Sequence, residues 1–173
     1  MDRLFKEFCS AVDTPSDINE HLQLLFDLTS ICEAVVEIGV RTAVSTRAIL
    51  AGMPKEYLGI DLEITREAQD IVNIGHAAGI NASLLKGNSH EVDIPECDLL
   101  FIDSDHTYNC LKVELERHGN RAKRFIAFHD TTIFASELMP AIQQFMKANP
   151  HWKLNIRKHN NNGFLVLERA KEV

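Results

Sequence analysis

The segment DLLFID, residues 98–103, is strongly apolar until it ends in an acid. Asp103 closes the segment, and Asp105 and His106 follow within three residues. Carboxylates and imidazoles are the side chains that hold divalent cations or transfer protons. A buried strand that ends at an active site explains this pattern, and so does a buried strand that ends in a solvated turn. For Asp105 the turn is the better interpretation, because only its position in the sequence recommends it.

A second segment, RFIAFHD at residues 124–130, has the same arrangement and ends in His129 and Asp130. Neighbouring strands lie about 4.8 Å apart. If the two segments are adjacent strands, Asp103 and Asp130 come within reach of one cation. The sequence therefore predicts either a metal site or a general acid–base site at these two strand ends.

Short apolar segments alternate with amphipathic segments along the chain, and this alternation predicts strands and helices in turn. The chain closes with two strands joined by NNNG, whose Asn and Gly residues supply positive-φ turn geometry and predict a hairpin. Strands are expected at 34–39, 57–62, 83–87, 98–103, 124–130, 152–159 and 164–169, and helices at 17–30, 45–51, 66–78, 108–118 and up to about Ala148.

Strands that are apolar throughout and separated by helices predict a parallel sheet that is covered on both faces. Right-handed crossovers make it a doubly wound, Rossmann-like α/β sheet, and the terminal hairpin reverses the last of seven strands. Ligands bind beyond the carboxyl ends of the strands in such sheets. Polar residues or glycines occur at five strand ends: Glu37 and Gly39, Asp61, Asn88, Asp103, and His129 with Asp130.

Local patterns add further expectations. Asp17 should cap the first helix, with Glu20 three residues on as in a capping box. Pro140 should lie at or near the first turn of the last helix, and Glu114 on the outer face of the 108–118 helix. Trp152 should pack against the last strand. Histidines expected at the surface or in loops are His21, His76, His90, His118, His151 and His159.

Composition excludes some classes of protein. The chain has 173 residues and a formal net charge of −7, which disfavours a nucleic-acid partner. No apolar run approaches the roughly 20 residues of a membrane span. The four cysteines are scattered, as expected of reduced thiols in a cytoplasmic protein. We expect one domain over residues 1–173, with a helical segment at 1–30 and a Rossmann-like core at 31–173.

The turn after the first predicted strand reads GVRTAVST and has one glycine. A nicotinamide-binding sheet normally has G-x-G-x-x-G at this point, so that the backbone can approach a pyrophosphate. Arg41 and Val44 occupy the two later glycine positions. An oxidoreductase that binds NAD or another nucleotide is therefore the less favoured class.

The segments VVEIGVRTAVSTRAIL, YLGIDLE, LLKGNSHE and NNNGFLVLER, together with FIDSDHTY and FHDTT, resemble class I S-adenosylmethionine-dependent methyltransferases. They are most similar to the small bacterial and phage branch that is related to sugar O-methyltransferases and cephalosporin-hydroxylase-like proteins. The resemblance covers about residues 30–170. It implies an enzyme that transfers a methyl group from S-adenosylmethionine to a hydroxyl of a sugar or another small acceptor.

The resemblance also implies a role for residues at the first three strand ends. Glu37 would help to hold the cationic methionyl end of the cofactor, and Gly39 would let the backbone approach it. Ser45 would cap a helix whose N-terminal amides face the cofactor carboxylate. Asp61 would accept hydrogen bonds from both ribose hydroxyls, and Asn88 would lie near the adenine.

At the fourth and fifth strand ends the resemblance implies a divalent cation, magnesium or manganese, held by Asp103, His129 and Asp130. The cation would chelate two acceptor hydroxyls and lower the pKa of one of them. Asp103 would also contribute to cofactor binding. Without a metal, His106 or His129 would act as the general base and Asp103 would orient it.

Two departures from the family pattern support a different class, a non-catalytic or degenerate cofactor-binding protein that acts in an assembly. Ala43 stands where relatives commonly have glycine, and Asn88 stands where they commonly have an acid. The identity of the acceptor and the oligomeric state, a homo-oligomer included, remain open at this point.

Overall fold

The computed structural model describes residues 3–170. Its strands are β1 (Ala34–Ile38), β2 (Glu56–Asp61), β3 (Asn81–Lys86), β4 (Cys97–Ile102), β5 (Ala122–His129), β6 (Trp152–Lys158) and β7 (Phe164–Arg169). Its α-helices are α1 (Arg3–Asp13), α2 (Leu22–Thr29), α3 (Val44–Ala51), α4 (Arg66–Ala77), α5 (Tyr108–His118) and α6 (Ala135–Ala148). Two 3-10 turns, Asn19–His21 and Gly119–Arg121, precede α2 and β5.

The seven strands form one sheet in the order β3-β2-β1-β4-β5-β7-β6. Strands β1 to β5 pair in parallel, whereas β7 runs antiparallel to both β5 and β6. The predicted doubly wound sheet with a reversed last strand is therefore confirmed. The carboxyl ends of β1 and β4 meet at the point where the strand order reverses, which is where such sheets bind ligands.

Each face of the sheet is covered by helices, which explains why the strands are apolar on both sides. Helices α1 to α4 pack on one face, where Leu22, Ile49 and Phe101 belong to a single buried cluster. Helices α5 and α6 pack on the other face around Leu100 and Trp152. The predicted packing of Trp152 is confirmed, since its side chain is buried in this second cluster.

The structure differs from the helix predicted at residues 17–30. Asp17 and Glu20 do not form a capping box, because the chain makes a 3-10 turn at Asn19–His21 before α2 begins. Neither residue preceding these two elements provides a side-chain cap. Asp17 instead pairs with Arg41 at 3.2 Å, and Glu20 accepts a hydrogen bond from the Asn160 amide.

Pro140 lies in the second turn of α6, near the first turn as predicted. The helix begins at Ala135, where the backbone N–H groups of Glu137 and Leu138 already donate to the carbonyl of Phe134. Proline has no N–H to donate within a helix. The backbone bond that residue 140 would otherwise make is therefore missing from α6.

Three side chains predicted to be exposed are buried. Glu114 is 0% exposed, although acidic residues are rarely buried completely. His21 and His118 are also buried. A hydrogen bond to a backbone carbonyl makes this possible in both: the His21 Nε2 atom lies 2.9 Å from Asn160 O, and the His118 Nε2 atom lies 2.7 Å from Ser89 O. His76 and His159 are exposed, as predicted.

The cysteines within residues 3–170 are all free thiols, as the sequence predicts. In the same range, no helix combines the length and the apolar composition that a membrane span requires.

A close approach between two loops joins the ends of β1 and β4. Gly39 follows β1 with φ +91°, and a Cβ atom at this position would lie 2.1 Å from the carbonyl oxygen of Asp103. Only glycine fits such a contact, because it has no Cβ and tolerates a positive φ. The position of Asp103 therefore depends on the absence of a side chain at residue 39.

We predict that Gly39→Ala destabilises the protein more than Gly79→Ala. Gly79 has a similar φ of +93° but no atom within 4 Å of the Cβ that alanine would add. Both variants carry the left-handed backbone cost of about 1–2 kcal/mol. Gly39→Ala should cost about 1–3 kcal/mol more, because it overpacks the β1–β4 contact. Equal losses of unfolding free energy in urea titrations would contradict this account of the contact.

Candidate active site

A groove of about 330 Å³ opens at the carboxyl ends of β1, β2, β3 and β4. We call it the strand-end groove, and its walls include Gly39, Asp61, Asn88, Asp103 and Ser104. A smaller hollow continues from it toward α3 and shares Gly39 and Asp103 with it. Four of the residues that the sequence predicts to bind a cofactor therefore line the strand-end groove: Gly39, Asp61, Asn88 and Asp103.

Asp61 holds the loop between β1 and α3. One carboxylate oxygen accepts hydrogen bonds from the backbone N–H groups of Val40 and Arg41, each at 2.8 Å. The other oxygen accepts from the backbone of Glu63 at 3.1 Å. The Oδ1 atom, which accepts only one of these bonds, still has a free lone pair. The half-buried Asp61 can therefore still hydrogen-bond a ligand in the groove through Oδ1.

Glu37 lies beneath the strand-end groove, not in its wall. Its side chain is 0% exposed and accepts hydrogen bonds from Ser45, from Thr46 at 2.8 Å and from the Tyr57 phenol at 2.5 Å. Burial raises the pKa of Glu37 to about 7, although the three hydroxyl donors oppose that shift. Glu37 therefore contacts Ser45, and Ser45 is one of the residues that line the smaller hollow.

Ser45 is not the cap of α3. The helix begins one residue earlier, at Val44, and the capping position is held by Ala43, which makes no side-chain cap hydrogen bond. Because the Ser45 hydroxyl donates to Glu37, it is turned inward and does not bond to the free N–H groups of the first turn. Those N–H groups remain available to an anionic ligand.

Three residues other than glycine adopt left-handed backbone conformations at the strand ends. They are Arg41 (φ 49°), Ala43 (φ 61°) and Asp130 (φ 58°). Side chains make this region unfavourable, and such strain concentrates at ligand-binding sites. The conformation of Ala43 also explains why glycine suits that position.

Two carboxylates lie together at the ends of β4 and β5, where Asp130 is buried and the Asp103 side chain is 11% exposed. The His106 Nε2 atom lies 2.7 Å from Asp130 and 3.4 Å from Asp103, so this imidazole bridges both acids. The ring of His106 also stacks on Phe134, with centroids 4.6 Å apart. The predicted proximity of Asp103 and Asp130 is consistent with this arrangement.

His129 completes what we call the carboxylate–imidazole cluster, which consists of Asp103, His106, His129 and Asp130. The Nε2 atom of His129 lies 3.0 Å and 3.3 Å from the carbonyl oxygens of Asp17 and Asn161. Carbonyl oxygens only accept, so Nε2 carries a hydrogen. The other ring nitrogen, Nδ1, therefore faces Asp103 at 3.3 Å and Asp130 at 3.6 Å.

The cluster shifts the pKa of each of three members. Burial opposes the ionisation of Asp103, but hydrogen bonds from His106 and His129 outweigh it and lower the pKa to about 2. Hydrogen bonds to Asp103 and Asp130 raise the pKa of His106 to about 9. Burial lowers the pKa of His129, but Asp103 and Asp130 reverse the effect and raise it. The two acids thus attract positive charge to the space between them.

The donor atoms of this cluster fit a divalent cation. One ligand atom from each of Asp103, His129 and Asp130 lies within 4.8 Å of the other two. Among residues 3–170, the Oδ1 atom of Asp130 and the hydroxyl of Thr131 are buried without a hydrogen-bond partner. Buried polar atoms are rarely left unpaired, so each calls for an explanation. A cation bound beside Asp130 would satisfy its orphaned oxygen.

Sequence reasoning missed the segment that covers the cluster. The turn between β6 and β7 lies against residues 16–21, where the side-chain amide of Asn161 donates to the carbonyl of Ser16 at 2.9 Å. Positive φ angles occur at Asn161, Asn162 and Gly163, as predicted for a turn. The run of three asparagines is the only sequence signal for this contact, because it has more side-chain hydrogen-bond donors than a hairpin turn needs.

Comparisons with solved structures show many matches across almost the whole chain. The Streptomyces achromogenes O-methyltransferase that is involved in tomaymycin synthesis, in complex with SAM, matches with a TM-score of 0.70 and 11% identity over 99% of this chain and 91% of that one. The Bacillus cereus O-methyltransferase in complex with SAH matches with a TM-score of 0.63 and 15% identity over 98% and 91%. A ribosomal protein L11 methylase from Lactobacillus delbrueckii subsp. bulgaricus matches with a TM-score of 0.67 and 12% identity, over 91% of this chain and 81% of that one.

This is the fold of the class I S-adenosylmethionine-dependent methyltransferases, as the sequence resemblance implied. No family model and no curated protein matches the chain by sequence. The matched structures differ in what their names say they modify, so the shared fold does not identify an acceptor. The activity must be argued from the residues of the site.

We predict that Glu37→Gln removes part of the pH dependence of stability. A carboxyl whose pKa is raised on folding costs stability as the pH rises from its unfolded value of 4.5 to its folded value of about 7. One pKa unit corresponds to about 1.4 kcal/mol, so the cost above pH 7 is of the order of 3 kcal/mol.

The stability of the wild type relative to Glu37→Gln should therefore fall by about that amount between about pH 4.5 and pH 7. Urea unfolding of both proteins across this range measures the difference, and groups common to both cancel. A difference that stays constant with pH would show that Glu37 ionises as readily in the folded chain as in the unfolded one.

Proposed function

We propose that the protein transfers a methyl group from S-adenosylmethionine to a hydroxyl of a small acceptor, a sugar or a similar polyol, with the help of a divalent cation. The observation that carries this proposal is the position of the carboxylate–imidazole cluster at the edge of the strand-end groove. Asp103 belongs to both, so a cofactor and a cation would share one residue.

The cofactor would occupy the strand-end groove. When bound, S-adenosylmethionine supplies an electrophilic methyl group on a sulfonium. Asp61 would accept hydrogen bonds from the ribose hydroxyls, and Asn88 would contact the adenine from the end of β3. The free N–H groups at the start of α3 would face the carboxylate. Glu37 would act through Ser45 as a positioning residue.

The cation would be held by Asp103, His129 and Asp130. When bound, magnesium or manganese supplies Lewis-acid polarisation of an acceptor hydroxyl. His129 can take this role because its Nε2–H donates to two backbone carbonyls and leaves Nδ1 directed at the carboxylates. A carboxylate-rich set with one imidazole suits magnesium or manganese.

General-base catalysis by His106 or His129 is less well supported. The pKa of His106, raised to about 9, keeps its ring protonated near neutral pH when no metal is bound, and a protonated ring cannot accept a proton. Burial lowers the pKa of His129, but Asp103 and Asp130 raise it overall, which favours the protonated ring. A non-catalytic cofactor-binding role also remains an alternative, since Ala43 is strained and Asn88 is not an acid. The carboxylate–imidazole cluster argues against this alternative, because binding of the cofactor alone does not require two acids and two imidazoles beside the groove.

Calorimetric titration of S-adenosylmethionine into the protein, and of NAD into a second sample, tests the proposal. We expect S-adenosylmethionine to bind and NAD not to bind. In Asp61→Asn the ribose hydroxyls would lose a charged acceptor. Such hydrogen bonds are worth about 1.5–3 kcal/mol, so the affinity should fall at least about tenfold.

Asp98→Asn is the matched control. One oxygen of Asp98 accepts from the backbone N–H groups of Glu33 and Ala34 at 2.7 Å and 3.1 Å, just as Asp61 holds Val40 and Arg41. Asp98 lies at the opposite end of the sheet, so its variant should keep full cofactor affinity. Binding of NAD alone would refute the methyltransferase proposal, and full affinity in Asp61→Asn would refute the ribose assignment.

A further inference from the structure

A second group of metal-ligating side chains lies in another wall of the strand-end groove. His90, Cys110 and Glu114 each offer one ligand atom, and these three atoms all lie within 4.8 Å of one another. The Cys110 Sγ atom is 3.3 Å from the His90 Nε2 atom. None of the three belongs to the carboxylate–imidazole cluster.

Two elements bring these ligands together. Cys110 and Glu114 are four residues apart on α5, so they project from the same side of that helix. His90 lies in the loop after β3, where its backbone N–H donates to the Asn88 side chain at 3.0 Å. That bond fixes the loop, and the His90 ring then lies against the Cys110 thiol.

Glu114 is held in place by serine hydroxyls from two loops, the His90 loop after β3 and the loop after β4. Ser89 donates to one oxygen of its carboxylate at 2.7 Å, and Ser104 lies 2.8 Å from both oxygens. Hydrogen bonds of this kind orient the ligands of metal sites. A fully buried acid with no basic partner among its hydrogen bonds must be neutralised, either by a proton or by a bound cation.

The spacing of the ligand atoms suits a tetrahedral cation. Zinc binds imidazole nitrogen at about 2.0–2.1 Å and thiolate sulfur at about 2.3 Å. Tetrahedral angles then separate the nitrogen and the sulfur by about 3.5 Å, close to the 3.3 Å seen here. A thiolate with an imidazole selects zinc over magnesium, so this site differs in chemistry from the Asp103 site.

All three residues line the groove. Three protein ligands with an open fourth position are typical of zinc sites that bind an exogenous molecule. An ion held here would present its open position to whatever occupies the groove between Asn88 and Ser104.

We propose that His90, Cys110 and Glu114 form a binding site for a zinc-class divalent cation, with its fourth coordination position open to the strand-end groove. The proposal does not depend on methyl transfer, because it concerns different ligands and a different metal. A simple hydrogen bond between a neutral thiol and the His90 ring would also bring those two atoms together, and the test must separate the two cases.

Titration with Co²⁺ followed by absorption spectroscopy separates them. Cobalt substitutes for zinc, and a thiolate ligand gives it a sulfur-to-metal charge-transfer band that oxygen and nitrogen ligands do not. We expect this band to grow to saturation as Co²⁺ is added and to disappear on addition of Zn²⁺. Because the Asp103 site contains no sulfur, binding there cannot produce the band.

Variants identify the ligands. Cys110→Ser should abolish the band, whereas Cys9→Ser, at another half-buried cysteine, should keep it. His90→Ala leaves the thiol and α5 unchanged, and should weaken Co²⁺ binding at least about tenfold. Absence of the band in the wild type at micromolar Co²⁺, or its persistence in Cys110→Ser, would overturn the proposal.

Discussion

Two neighbouring carboxylates, buried Asp130 and the partly exposed Asp103, determine how this end of the sheet is built. Asp103 and Asp130 end adjacent parallel strands, so the sheet itself brings their charges together. Like charges in a buried site must be neutralised or paired. His106 and His129 provide that pairing here. The positions of both histidines, and of the backbone carbonyls that fix the His129 tautomer, follow from the need to balance the two acids.

The groove beside these acids depends on a layer of support beneath it. Gly39 lets the β1 loop pass the carbonyl of Asp103, and Asp61 then fixes that loop through two backbone N–H groups. Glu37 holds Ser45 from below. Arg41 and Ala43, both left-handed, lie in the loop that this network holds. Contacts that fix a surface before a ligand arrives favour tight and oriented binding.

The strand ends could be predicted from the sequence, because apolar runs that end in acids or glycine are local patterns. For that reason the sequence predicts that Asp103 and Asp130 lie close together. Buried polar residues on helices could not be predicted. Glu114 sits among charged neighbours on an amphipathic helix, and only the serines of two distant loops explain its burial. The inward turn of Ser45 likewise depends on Glu37, a strand residue that no helix-capping rule considers.

We propose that a nucleoside cofactor and a divalent cation bind next to each other around Asp103. A crystal structure of the protein with S-adenosylhomocysteine and Mn²⁺, using anomalous scattering to locate the metal, would show both ligands at once. We expect a manganese peak between Asp103, His129 and Asp130, and a ribose within hydrogen-bond distance of Asp61. A manganese peak elsewhere, or a groove without nucleoside at saturating concentration, would refute this arrangement.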